Sequence, residues 1–184
     1  KKSSGRISRH HLLNDIVWRA FNSANTPAIK EPSGLCRSDG KRPDGLTQIP
    51  WESGKCLTWD VTVTDTLAAS NLSNSAIVAG SAAERAAERK VQKYSELAAC
   101  YDFVPLAFET LGPANSSAVD LIRRLGSRLS SRTGDTRETS FLWQRISVAL
   151  QRFNAVCLHS TFETSPEGWT CFYFTTHGLI PEGF

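Results

Sequence analysis

The sequence predicts an α/β domain in which one small sheet is sandwiched by helices. Three observations carry this expectation. Residues 81–100 form an Ala-rich run free of Gly and Pro; Leu57, Trp59, Val61 and Val63 alternate with Thr58, Asp60, Thr62 and Thr64; and two stretches of helical apolar spacing, 116–130 and 138–158, close the regular part of the chain. Its 184 residues, 40% hydrophobic and 21% charged, suit one globular domain. That balance excludes collagen, a charge-dominated disordered chain and a low-complexity fibre.

The elements follow in order. Residues 9–24 place Leu13, Val17, Ala20 and Phe21 at helical spacing, which predicts an amphipathic helix. Pro27, Pro32, Gly34, Gly40 and Pro43 then forbid a long helix, leaving short strands. The alternation over residues 55–64 predicts a strand with two different faces. The run from Ser81 to Cys100 predicts a helix, with an apolar stripe through Ala83, Ala87, Val91, Tyr94, Leu97 and Ala98. Residues 103–111 predict a buried strand that Pro105 pushes toward an edge or a bulge. The last helix carries Phe141, Ile146, Val148, Leu150 and Val156. After Thr161 the sequence is aromatic but aperiodic, with Trp169, Phe172, Tyr173 and Phe174. Trp18, Trp51, Trp59 and Trp143 are expected in the core.

The five cysteines, Cys36, Cys56, Cys100, Cys157 and Cys171, are odd in number and show no C-x-x-C spacing. Reduced thiols in an intracellular, reducing compartment are the expectation. Lys1 and Lys2 are followed by no apolar stretch, so no signal peptide is read here. No run of about 18 apolar residues exists, so no membrane span is expected. The absence of Met, even at residue 1, leads to the expectation that the chain is a piece of a longer polypeptide.

One constellation carries chemistry. Pro43-Asp44 opens a strand candidate, Asp60 is the odd residue in an apolar and Thr-rich strand, and Lys90 and Lys93 lie on the next helix. A buried carboxylate without a partner costs several kcal/mol, so Asp60 requires compensation. A second carboxylate nearby adds repulsion, and a divalent cation relieves both. Mg²⁺ prefers oxygen ligands and keeps several waters, so Asp44, Asp60 and a backbone carbonyl at Val61 make a sufficient cradle. Such a cation lowers the pKa of its water from about 15.7 toward neutrality, which prepares attack on a phosphodiester. At about 100° per residue Lys90 falls inside the apolar stripe and Lys93 at its margin beside Tyr94, and either suits the lysine's role.

These residues resemble the restriction-like endonuclease domain that follows the reverse transcriptase in certain non-LTR retrotransposons, a branch of the PD-(D/E)xK superfamily. The matching pieces are Arg9-His10 with Asn14, Lys41-Arg42-Pro43-Asp44, Asp60-Val61-Thr62-Val63 and Lys90-Val91-Gln92-Lys93-Tyr94, within residues 5–158. The resemblance implies a restriction-endonuclease-like α/β fold with a small central mixed sheet flanked by helices. It implies metal binding by Asp44 and Asp60, and catalysis by these two with Lys90 and Lys93. The position two after Asp60 is Thr62 rather than the superfamily's lysine; the retrotransposon branch is similar in drawing its lysine from the following helix.

The implied activity is Mg²⁺-dependent hydrolysis of double-stranded DNA, with Mn²⁺ as a substitute. It would nick a nuclear target so that the free end primes reverse transcription. DNA contacts are expected from Arg6, Arg9, His10, Lys41 and Arg42, and the implied partners in the longer chain are an upstream reverse transcriptase and a zinc knuckle. Residues 119–152 add seven arginines against three acids, either a phosphate-binding face or a solvated one. His10 and His11 either flank a helix or contact metal or DNA; Glu31 and Glu109 are read either as further ligands or as structural groups. The domain layout expected is a basic lead-in over 1–8, the endonuclease domain over 9–160 and an irregular tail over 161–184. The rival readings are a catalytically inactive DNA-binding module and a decayed retroelement fragment.

Overall fold

The structure, a computed structural model, describes residues 4–35 and 42–159. Lys41, Cys36, Cys171 and the expected tail over 161–184 lie outside the described residues. Helix α1 spans Ser4–Ser23, followed by strands β1 (Ala28–Lys30), β2 (Gly45–Thr47) and β3 (Leu57–Thr64). Helices α2 (Ala69–Ser75) and α3 (Ser81–Lys93) lead to β4 (Asp102–Glu109), and α4 (Ser116–Thr133) and α5 (Glu138–His159) complete the chain. The sheet runs β1-β2-β3-β4, antiparallel at its first two pairings and parallel between β3 and β4, so it is mixed.

Alternation along β3 sorts the two faces of the sheet. Leu57, Trp59 and Val61 join Val104, Leu106 and Phe108 of β4 in the main core, against Leu13, Val17 and Phe21 of α1 and Leu121, Ile122 and Leu125 of α4. Leu142, Ile146 and Leu150 extend that core into α5. The opposite face is covered by α3 through Ala83, Ala86 and Ala87 on Ala107. Alanines permit the close approach of α3, which brings the polar side chains of that face under cover.

Two close approaches set the geometry of the sheet edge and the helix pair. Trp59 lies flat against Gly45 and stacks on Phe21 with centroids 4.9 Å apart; any side chain at Gly45 would overlap the indole. Gly126 gives Thr139 the same room between α4 and α5. Pro105 sits on β4, an edge strand where its missing N–H leaves no ladder bond unmade.

Several expectations are corrected. Helix α1 starts at Ser4, inside the expected lead-in, because Gly5 is buried against Val156 and Cys157 of α5. The helix from Ser81 ends at Lys93 and a 3₁₀ turn over Ser95–Ala99 follows, so the stripe loses its phase at Ala98, while within the helix the buried face is centred nearer Ala82 and Ala86 than Val91. Val91 is 49% exposed and Ala98 is exposed, whereas Ala82 and Ala86 are buried in their place. On α5, Val148 and Val156 face outward. Helix α2 has no counterpart among the predicted elements. Trp51 and Trp59 are buried as expected; Trp18 and Trp143 are half-buried. Cys56 and Cys100 are free thiols.

Candidate active site

The polar face of β3 and the start of β2 bring the predicted carboxylates together. Gly45 and Trp59 are register partners, so one step further Asp44 stands opposite Asp60. Pro43 restricts the chain before Asp44 to extended conformations, and the residue is then held on all sides. Its amide donates to the Trp59 carbonyl at 2.9 Å, and its own carbonyl accepts from the Glu31 amide at 2.9 Å and from Asn14 Nδ2 at 3.2 Å. Its Oδ2 accepts from the Val61 amide at 2.6 Å and from His10 Nε2 at 2.9 Å. The geometry assigns the hydrogen to His10 Nε2, since a carboxylate only accepts.

Helix α1 supplies this support from one face. His10 and Asn14 are four residues apart and therefore neighbours on the helix surface. Asn14 Oδ1 also accepts from Trp59 Nε1 at 2.8 Å, which ties the helix, the indole and Asp44 into one unit.

Asp60 is 4% exposed and is met by α3. Its Oδ2 forms an ion pair with Lys90, and Tyr94 Oη lies 3.1 Å from its Oδ1. Tyr94 Oη also stands 2.9 Å from the Arg42 carbonyl and accepts from Lys93 Nζ at 2.7 Å. A hydroxyl has one proton, so Tyr94 donates to Asp60 or to Arg42 at any moment. The ion pair from Lys90 brings charge to Asp60 Oδ2 without a well-aligned hydrogen bond.

The electrostatics report the same convergence. Burial raises the Asp60 pKa above the ordinary carboxylate range, the charge of Asp44 raises it further, and Lys90 opposes both. The hydrogen bond to Asp44 raises the pKa of His10 above the usual imidazole value, against the effect of burial. Two acids thus share one site, each faced by a base.

The remaining predicted residues separate. Val61 meets Asp44 through its amide. Lys90 touches Asp60 directly, whereas Lys93 reaches it through Tyr94. Arg42 is exposed and pairs with Glu31, which is thereby a surface residue. Arg6 is exposed on α1. Arg9, expected at a DNA surface, is only 7% exposed and donates to Asn154 Oδ1 of α5 at 2.7 Å; it belongs to the helix packing. Glu109 lies away from the site: fully buried, it accepts the Ala82 and Ala83 amides at 3.0 and 3.2 Å and caps the start of α3 in place of a side chain at Gly80. Of the arginines on α4 and α5, Arg124 pairs with Glu52, Arg123 with Asp120, and Arg128 lies 3.5 Å over the Trp51 ring.

Sequence reasoning assigned no role to Asn14 or to the Tyr94 hydroxyl. The signal for Asn14 was its i+4 spacing from His10. Tyr94 read as part of an apolar stripe, and nothing in its spacing shows a hydroxyl aimed at Asp60.

Among the described residues no cluster of three or more His, Cys, Asp or Glu side chains has the geometry to hold a metal, and no helix is long and apolar enough to cross a membrane. No protein-family model and no curated protein matches the chain.

Proposed function

We propose that the chain is a restriction-endonuclease-like domain of a retrotransposon-type polyprotein, a metal-dependent DNA endonuclease that nicks nuclear target DNA to prime reverse transcription. The observation that carries the reading is the placement of Asp44 opposite Asp60, with Lys90 on Asp60. Two carboxylates, one nearly buried and raised in pKa first by that burial and then by the charge of the other, form a like-charge pair of hard oxygen donors. Mg²⁺ is commonly bound through only one or two carboxylates with water completing its shell, so this donor set fits it, and fits Mn²⁺ equally. When bound, the cation would acidify a water and offset phosphate charge.

The chain's own residues would do the rest. Asp44 and Asp60 would hold the ion, with the Val61 carbonyl as the third oxygen of the cradle. Lys90 would stabilise negative charge on the phosphate, a role that suits an ammonium already delivered to Asp60. Lys93 and Tyr94 would keep α3 seated over the site. Arg42 and Arg6, both exposed, would meet DNA phosphates.

A second reading, a nuclease fold that binds DNA without cutting it, is favoured by one observation. Lys90 and His10 already face both carboxylates, as fixed counter-charges would in a site that holds no cation. Plasmid nicking separates the two. The endonuclease reading expects Mg²⁺-dependent nicks that EDTA abolishes and that Asp60→Asn reduces by about 100-fold or more. DNA binding that falls with salt and yields no nicked product supports the second reading.

A further inference from the structure

Helices α1 and α5 pack side by side, with Gly5 against Cys157 and Arg9 on Asn154, so the two run antiparallel. Their solvent side leaves a groove of about 530 Å³. One stripe of α5 lines it with Phe141, Arg145, Val148 and Arg152, spaced at i, i+4, i+7 and i+11, and α1 adds Leu12 and Ile16. Val148 is 66% exposed, and Phe141, Leu12 and Ile16 are half-buried, so apolar surface stands open to water between the helices.

The lining holds two bases and no acid. Arg145 and Arg152 make no ion pair among the described residues, whereas Arg123 and Arg124 of α4 each take a carboxylate. An occupant must therefore offer apolar side chains and negative charge together. Residues 160–184, which follow α5 directly, have that composition. They carry Glu163, Glu167 and Glu182 beside Trp169, Phe172, Tyr173 and Phe174, and all 21 Lys and Arg residues of the sequence precede them.

Reach and order agree with the composition. Phe141 lies about 27 Å back along α5 from His159, at about 1.5 Å per residue. An extended chain at about 3.3 Å per residue covers that length in about eight residues. A segment returning along α5 meets Arg152 first, then Val148 and Arg145, then Phe141. In the sequence Glu163 and Glu167 likewise come before the aromatic group.

We propose that residues 162–174 seat in the groove between α1 and α5, with their aromatic side chains on Leu12, Ile16, Phe141 and Val148 and their acids on Arg145 and Arg152. Apolar burial supplies most of the attraction, and the exposed ion pairs set the direction of the segment. The covalent link to α5 makes the contact intramolecular, so modest contacts suffice to hold it. Helix α1 carries His10 and Asn14 against Asp44, so the seat braces the helix that holds the first carboxylate. The docking itself requires neither metal nor DNA.

The test is disulfide trapping in the full chain between Cys171 and a thiol introduced by Val148→Cys, with diamide as oxidant and the bond mapped by mass spectrometry. Ser147→Cys is the control: Ser147 is exposed, one residue from Val148 and turned about 100° from it, at the same distance along α5 from the segment. The expected result at low micromolar protein is an intramolecular 148–171 bond that forms at least several-fold faster than the 147–171 bond. Arg145→Glu with Arg152→Glu slows the trapping several-fold, and adding Glu163→Arg and Glu167→Arg to that variant restores it. Equal rates from positions 147 and 148, or a rate indifferent to the charge reversal, overturns the proposal. Trapping that yields mainly cross-linked dimers overturns it as well, since the groove is then covered by a second copy.

Discussion

The Asp44 carboxylate accepts the backbone amide of Val61 at 2.6 Å, so the first predicted acid is fastened to the residue next to the second. A side chain bonded to the strand that carries Asp60 cannot swing away from it without breaking that bond. The same oxygen takes the His10 imidazole. The pairing of Asp44 with Asp60 is therefore built into the main chain of β3 rather than left to two mobile side chains.

Lys90 and Lys93 are predicted to differ in stability as well as in catalysis. Lys90 pairs with a carboxylate that is 5% exposed. Breaking a buried pair from one side costs about 3–5 kcal/mol, reduced here to about 1–3 because Lys90 is itself 25% exposed. Lys90→Met should lower the urea midpoint clearly, and Lys93→Met by less than about 1 kcal/mol. Equal losses in the two denaturation curves would contradict the assignment of Lys90 as the direct partner of Asp60.

His10 is predicted to titrate above about 6.5 in the cation-free protein, since its bond to Asp44 favours the charged ring. Its folded-state pKa is raised, so its contribution is complete below the unfolded value near 6.5 and is lost as pH rises through the folded one. Asp60, also raised, has the same sign at lower pH: its effect is lost as pH climbs past the ordinary carboxylate range. Ring-proton NMR should show His10 returning toward 6.5 in Asp44→Asn. An unaltered titration in that variant would remove the His10–Asp44 bond from the account.

Gly45→Ala is predicted to disrupt the site from behind. The new methyl would overlap the Trp59 indole, whose Nε1 holds Asn14 and through it the Asp44 carbonyl. Overpacking of this kind costs about 1–3 kcal/mol. Urea denaturation should record that loss, with altered Trp fluorescence in the native state. Wild-type stability and emission would show that the indole does not depend on the missing side chain.

Much of the fold was legible because its signals are local. The spacing of Leu121, Ile122 and Leu125, and of Leu142, Ile146 and Leu150, marks α4 and α5 at the helical period, and the Thr-apolar alternation marks β3. Helix α2, with the sequence Ala-Ser-Asn-Leu-Ser-Asn-Ser, buries none of its residues and so carries no periodic signal. Val91 was misassigned because the buried face of α3 is centred on Ala82, Ala83, Ala86 and Ala87, which leaves Val91 at its margin although it lies within the helix. In the site, Asp60 was legible as a charge in an apolar strand. Arg9 was not, because its partner Asn154 is 145 positions away and no local pattern records such a contact. The Tyr94 hydroxyl was missed for the same reason: its partners Arg42 and Asp60 belong to other elements.

Titration with Mn²⁺ followed by amide NMR tests the shared cation site most directly. The prediction is paramagnetic broadening centred on Val61 and the residues around Asp44 and Asp60, lost in both Asp44→Asn and Asp60→Asn while each variant stays folded. Broadening that is absent, or that survives both substitutions, would contradict a cation site made by these two carboxylates.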